Sequence, residues 1–123
     1  MSEFVEYLHE VFEQFGAIRS RKMFGGHGIY HNDLMFGLVA DDELYLKTDQ
    51  NNIHFFDELD LPAFEFHSDK KIIKMSYYAA PEAIFDDPDQ AKFWAELAFD
   101  AALRANMIKE RKALNKKAKS KKP

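Results

Sequence analysis

Cysteine is absent from the 123 residues, which excludes disulfides and thiolate chemistry. Long apolar runs are also missing: no stretch approaches the ~20 residues that a membrane-spanning helix needs. The N-terminus carries four glutamates, at positions 3, 6, 10 and 13, where a secretory signal has a basic start followed by an apolar centre. These absences lead us to expect a cytoplasmic protein without a membrane partner.

Acidic residues are scarce after residue 103. Glu110 is the single acid there against nine Lys and Arg, so this end carries +8, whereas residues 1–103 carry −12. An acidic body repels phosphates, which argues against a nucleic-acid surface on the globular part. The basic end is either a solvated tail or a weak nucleic-acid contact that has no aromatic side chains to stack on bases. The candidate contacts are Lys109, Arg111, Lys112, Lys116 and Lys117.

Apolar residues make up 46% of the chain and include twelve Phe, enough to build one packed core. The basic end has almost nothing to bury. We therefore predict one domain over residues 1–108 and a flexible, frayed tail over 109–123.

The apolar periodicity predicts an α+β fold, an antiparallel sheet with helices packed on it. The order is a helix, three or four strands, a short helix, two strands and a long helix. The predicted ranges are a helix at 3–15, strands at 18–24, 27–31, 34–40 and 43–48, a helix at 50–59, strands at 64–67 and 71–78 joined by a turn at 68–70, and a helix capped by Asp87. This last helix should bury a stripe comprising Trp94, Leu97, Ala98, Ala101, Ala105 and Ile108.

The strand at 34–40 is apolar on both faces, which predicts a central, doubly covered strand. Simple alternation places Leu34, Phe36 and Leu38 on one face. It places Met35 and Val39 on the other face.

Three of the five glycines fall within four positions, Gly25, Gly26 and Gly28. A phosphate-binding loop would open a helix, whereas a strand follows here, so the run favours a hairpin turn. We expect Gly26 or Gly28 to need positive φ or to lie beneath a closely packed element.

Other candidate chemistry is weak. His27 and His31, considered with Asp33 as metal ligands, would lie about 13 Å apart on an extended strand, too far to share an ion. Lys74, Ser76, Tyr77 and Tyr78 show neither the base nor the elbow turn of a serine hydrolase. We therefore expect no catalytic residue, metal or cofactor.

Three segments carry a family resemblance: RKMFGGHGIY from Arg21, LMFGLVADDELYLKTD from Leu34, and KMSYYAAPEAIFDDPDQAKFWAELA from Lys74. With them the chain resembles the TfoX/Sxy N-terminal domain family over roughly residues 13–105. Its family-motif residues are Arg21, Lys22, Met23, Phe24, Gly25, Gly26, Gly28, Tyr30, Lys47, Ser76, Tyr77 and Tyr78.

The resemblance implies an α-β-α arrangement like the secretion-chaperone fold and a link to regulation of natural competence. It supplies no catalytic residue. Longer regulators of this kind add a C-terminal helical domain, whereas a basic segment follows here, which argues against direct control of transcription.

The leading hypothesis is thus a non-enzymatic regulatory module that contacts a protein, as yet unidentified. The alternatives are a small ligand-binding or enzymatic domain with a pocket on the sheet face, and a weak nucleic-acid binder acting through the tail. An apolar sheet face that the helices leave uncovered predicts a homodimer.

Overall fold

The computed structural model describes residues 2–23, 25–67 and 71–120, with backbone alone at 73, 74 and 118–120. The predicted turn at 68–70 and the motif residue Phe24 lie outside the described residues. The elements are α1 (Glu3–Val11), β1 (Arg19–Met23), β2 (Gly26–His31), β3 (Leu34–Ala40), β4 (Glu43–Lys47), α2 (Ile53–Asp57), β5 (Ala63–His67), β6 (Ile72–Ala79), α3 (Ala83–Asp86) and α4 (Pro88–Ser120).

The α+β class and the predicted order are confirmed, with α3 as an additional short helix before the long one. All six strands form one antiparallel sheet in the order β1-β2-β3-β4-β6-β5. Consecutive strands pair with each other except β4 and β5. Instead, β4 pairs with β6, and β5 lies at the outer edge of the sheet beside β6.

A β-bulge in β3 overturns the predicted alternation of that strand. Ile29 pairs with Gly37 and Tyr30 with Met35, so Phe36 is an extra residue that has no partner on β2. Beyond the bulge the faces are exchanged: Phe36 and Val39 both join the core beneath the helices. Leu38 instead turns to the opposite face, and the assignment of Leu38 and Val39 from simple alternation was wrong.

The main core lies between α1, α4 and one face of the sheet. The first helix buries Val5, Leu8 and Val11, and the turn after it buries Phe12. In α4 the small residues Ala91, Ala95, Ala98, Ala101 and Ala102 are buried together with Trp94, so the helix lies close against the strands.

The predicted cap of α4 is present, since the Asp87 carboxylate accepts a hydrogen bond from the Asp89 N–H at 2.9 Å. The buried stripe ends earlier than predicted. Ala105 and Ile108 are exposed.

A polar network fastens the β4–α2 connection to α4. The Asn52 side chain is buried; it accepts a hydrogen bond from the Asp49 N–H and donates to the carbonyls of Lys47 and Leu97. Arg104 donates two hydrogen bonds to the Asp49 carboxylate, at 2.6 and 3.0 Å. This guanidinium holds the pKa of Asp49 below its usual value.

The basic end also differs from its prediction. The helix α4 continues to Ser120, where the sequence predicted a frayed tail. All side chains from Met107 to Lys117 are exposed, as expected for residues with little to bury. The boundary at residue 108 stays a prediction, and residues 121–123 lie outside the described residues.

Candidate functional site

One face of the sheet is free of the helical core and carries much of the family motif; we call it the curled sheet face. Met23 from the edge strand β1 and Phe64 and Phe66 from the other edge strand β5 line one small cavity above Leu38. The two edges therefore bend toward each other over the centre of the sheet. Leu38 is only 4% exposed and Tyr77 only 7%, although no described helix packs on them.

Because the sheet curls, this face does not expose the apolar patch that the sequence predicted. The half-buried side chains of the face include Met23, Tyr30, Met35, Tyr45 and Met75, and all are shielded by their neighbours. The apolar side chains that are most exposed lie elsewhere, mainly on α4.

The missing side chain at Gly28 leaves room for its neighbours on the curled sheet face. A Cβ at Gly28 would lie 3.0 to 3.2 Å from atoms of Tyr30, Met35 and Met23, so these three side chains close over the glycine. Gly26 has a different role, because a Cβ there would meet the Val39 carbonyl oxygen. The run around Gly25 forms the β1–β2 hairpin turn, as predicted.

Two cations rest on tyrosine rings of the curled sheet face. The Arg21 guanidinium lies 5.9 Å from the centre of the Tyr30 ring, and the Lys47 ammonium lies 5.1 Å from that of Tyr77. Lys47 also donates a hydrogen bond to the Ser76 hydroxyl at 2.8 Å. The fold thus brings together motif residues from four different strands.

Neither cation has a carboxylate partner within the described ranges. The ion pairs found there join Arg19 to Asp33 and Arg104 to Asp49. Burial lowers the pKa of Lys47, and the negative charge of Asp49 offsets part of this shift. An ammonium that loses water without gaining a carboxylate is under-compensated.

Two tyrosines of this face, Tyr45 and Tyr77, keep their protons to high pH. Burial, reinforced by the neighbouring Tyr30, raises the pKa of Tyr77 to about 12. Burial and a hydrogen bond to Glu43 likewise raise the pKa of Tyr45 to about 12. Both hydroxyls are therefore neutral donors at physiological pH.

Other motif residues lie away from the curled sheet face. Tyr78 is on the helical side, where its ring packs 5.9 Å from that of Phe56. Lys22 is exposed and borders an open groove with Gly25, Gly26 and His27.

Residues that the sequence reasoning missed complete the face. Tyr45, Phe64, Phe66 and Met75 contribute most of its aromatic and methionine surface. Simple alternation along single strands could not show that β1 and β5 curl over one centre. The buried Asn52 had no sequence signal at all.

His31, which was considered as a metal ligand, packs between aromatic side chains instead. The His31 ring lies between Phe15 and Phe99, at centroid distances of 4.5 and 4.9 Å, and its Nδ1 is 2.7 Å from the Ala17 carbonyl oxygen. Among the described residues there is no group of three His, Asp or Glu that could hold a metal ion.

The cavity on the curled sheet face has a volume of about 20 Å³, room for roughly one water molecule. Small-molecule pockets usually measure several hundred Å³. This cavity is therefore too small for a small-molecule ligand.

The five basic candidates for nucleic-acid contact are all exposed on α4. Helical spacing places Lys109, Lys112 and Lys116 on one side of the helix and Arg111 and Lys117 on others. In the part of the chain that the structure describes, no helix is long and apolar enough to cross a membrane.

The chain is similar to known proteins over most of its globular part. It matches the TfoX N-terminal domain over residues 10–102. It is also 30% identical over 88 residues to the DNA transformation protein TfoX1 of Aliivibrio fischeri, an alignment that covers 72% of this chain and 42% of that protein. The chain thus spans less than half of this relative. The match to the domain covers well over half of the chain, which therefore belongs to the TfoX N-terminal domain family.

Proposed function

We propose that this protein is a non-enzymatic regulatory module of DNA transformation that binds a protein partner through the curled sheet face. The relative from Aliivibrio fischeri is named a DNA transformation protein, which supports a role in DNA transformation. The observation that supports this binding surface is the pair of cations, Arg21 and Lys47, each on a tyrosine ring and each without a carboxylate partner among the described residues.

The chemistry of the face selects the kind of partner. Carboxylates from an acidic segment would complete the interactions of Arg21 and the half-buried Lys47. The Ser76 hydroxyl lies beside this position. Thioethers of Met23, Met35 and Met75 would repack against apolar side chains that flank the carboxylates, because methionine adapts to irregular surfaces.

The same charges bear on the predicted homodimer. Two copies meeting through this face would each bring the same two cations, which favours a different, acidic protein as the partner. We keep the homodimer as a proposal and assign it another surface below.

The experiment compares proteins retained by the wild type with those retained by the Arg21→Ala/Lys47→Ala variant. Lys92→Ala, which removes an exposed cation of α4, is the matched control. Transformation frequency in cells of the source organism is measured in parallel, and thermal melts check that each variant folds.

We expect the double variant to lose a specific acidic partner and to change transformation frequency, while the control behaves as the wild type. If the folded double variant retained the same proteins and left transformation unchanged, the proposal would be wrong.

A further inference from the structure

The far end of α4 is exposed to solvent. We define the α4 extension as residues 107–117; it carries five cations against the single acid Glu110. Met107, Ile108 and Leu114 are 61%, 56% and 67% exposed, more than any described apolar side chain of the curled sheet face.

The extension is also a weak helix by itself. In proteins most helical stability comes from packing of a buried face, and the extension buries none of its side chains. The like charges of Lys112 and Lys116, four residues apart, destabilise it further. Both the exposed apolar side chains and the helical conformation would gain from a covering surface.

A complementary surface lies at the other end of the molecule, on both sides of Phe85; we call it the acidic trough. The Phe85 ring contacts those of Phe4 and Tyr7, at centroid distances of 5.9 and 6.2 Å. Clefts of about 260 and 320 Å³ flank it. Their lining includes the exposed acids Glu10, Asp42, Glu43, Glu82 and Asp86.

Geometry prevents an extension from reaching the trough of its own molecule. Pro88, the first residue of α4, borders the trough. Leu114 is 26 residues further along the helix, which at 1.5 Å per residue is about 40 Å away. Two α4 helices packed antiparallel would place the extension of each copy beside the trough of the other, a closed two-fold arrangement.

We propose that the α4 extension of one copy docks into the acidic trough of a second copy. Met107 and Leu114, which share one helical face with Leu103, would lie on the apolar floor around Phe85. The surrounding Lys and Arg side chains would meet the acidic rim. This contact is separate from the curled sheet face, which stays free for its own partner.

Charge reversal on each side tests the pairing by sedimentation of the full chain across the micromolar range. Arg111→Glu/Lys112→Glu alters the extension and Glu10→Lys/Glu82→Lys alters the trough. We expect each variant to dimerise at least about tenfold more weakly than the wild type. Mixing the two should restore association, because in each mixed dimer the unaltered extension meets the unaltered trough and the reversed extension meets the reversed trough. Lys71→Glu and Glu65→Lys, exposed residues that lie outside α4 and line neither cleft of the trough, are the matched controls and should dimerise as the wild type does.

Cross-linking gives a second readout that does not depend on charge. Because the chain has no cysteine, Tyr7→Cys and Leu114→Cys can be introduced without competing thiols. A mixture of the two single variants should form a disulfide-linked dimer at moderate protein concentration, whereas Leu59→Cys with Leu114→Cys should not.

A wild-type chain that stays monomeric at all concentrations would overturn the proposal. So would a dimer that tolerates both reversals, or one that mixing fails to restore. Loss of the acidic partner of the Arg21/Lys47 face would leave all these measurements unchanged, so the two proposals fail separately.

Discussion

Alanine substitutions at Gly26 and at Gly28 distinguish close packing against backbone from close packing against side chains in the β1–β2 region. A Cβ at Gly26 would lie 2.1 Å from the Val39 carbonyl oxygen, a backbone atom of the neighbouring strand. A Cβ at Gly28 would lie 3.0 to 3.2 Å from three side-chain atoms. Neither glycine has positive φ, so close approach is the constraint at both positions.

The expected costs follow from what must move. Ordinary contact begins at 3.4 Å, so Gly26→Ala requires a backbone shift of more than 1 Å in a ladder where Val39 is paired with His27. We expect a loss of ~3 kcal/mol in the free energy of unfolding, at the upper end for overpacking. Gly28→Ala needs only small movements of flexible methionines and should cost ~1 kcal/mol.

Urea unfolding of both variants provides the measurement. Gly25→Ala is the control, because it has φ +78 and nothing within 4 Å of the added atom. It should cost ~1 kcal/mol through backbone strain alone. A Gly26→Ala protein as stable as the wild type, or one less affected than Gly28→Ala, would refute this account of the turn.

Three further predictions concern the rest of the fold. Asn52→Asp should lower the free energy of unfolding in urea by ~3 kcal/mol, because it replaces the amide that donates to two carbonyls with a buried carboxylate. The exposed Asn51→Asp should change this free energy little, and equal stabilities of the two variants would contradict the network. Tyr77 should make stability fall between pH 10 and about 12, since the unfolded chain releases this proton first and the native state holds it. The loss amounts to about 2–3 kcal/mol, and a Tyr77→Phe chain with the same alkaline unfolding profile as the wild type would refute it. A chain ending at Ile108 should melt at the same temperature as the wild-type monomer, because the removed side chains are exposed. It should also lose any DNA binding, and tight, salt-insensitive binding by this form would contradict the assignment of the basic residues.

Local patterns in the sequence carried most of the fold. Strand-like runs and the turn residues between them located all six strands, and the Asp87-Pro88 pair located the start of α4. The limits arose where tertiary geometry decides. The bulge at Phe36 depends on how β3 aligns with β2, and no residue type signals it, so Leu38 and Val39 were placed on the wrong faces. The helical state of residues 109–120 was missed because charge and low hydrophobicity resemble those of an unstructured segment.

The sequence predicted several residues of the candidate site but not how the fold arranges them. The motif named Arg21, Tyr30, Lys47 and Tyr77, but their convergence depends on β4 pairing with β6 and on the curl of the sheet. The acidic trough had no sequence signature, since its acids come from α1, the β3–β4 turn and the segment around α3.

The pairing of β4 with β6 has a consequence for the order of folding. The strands β1 to β4 form by successive local turns, and β5 with β6 forms a separate hairpin. Lys47 and Tyr77 are thirty positions apart, so their ladder closes a long loop and pays the larger entropy cost. We expect the two local units to form first and their joining to limit the rate. Stopped-flow refolding of a Leu46→Ala chain, slowed more than one altered within β1–β2, would show that the motif surface exists only after this last step.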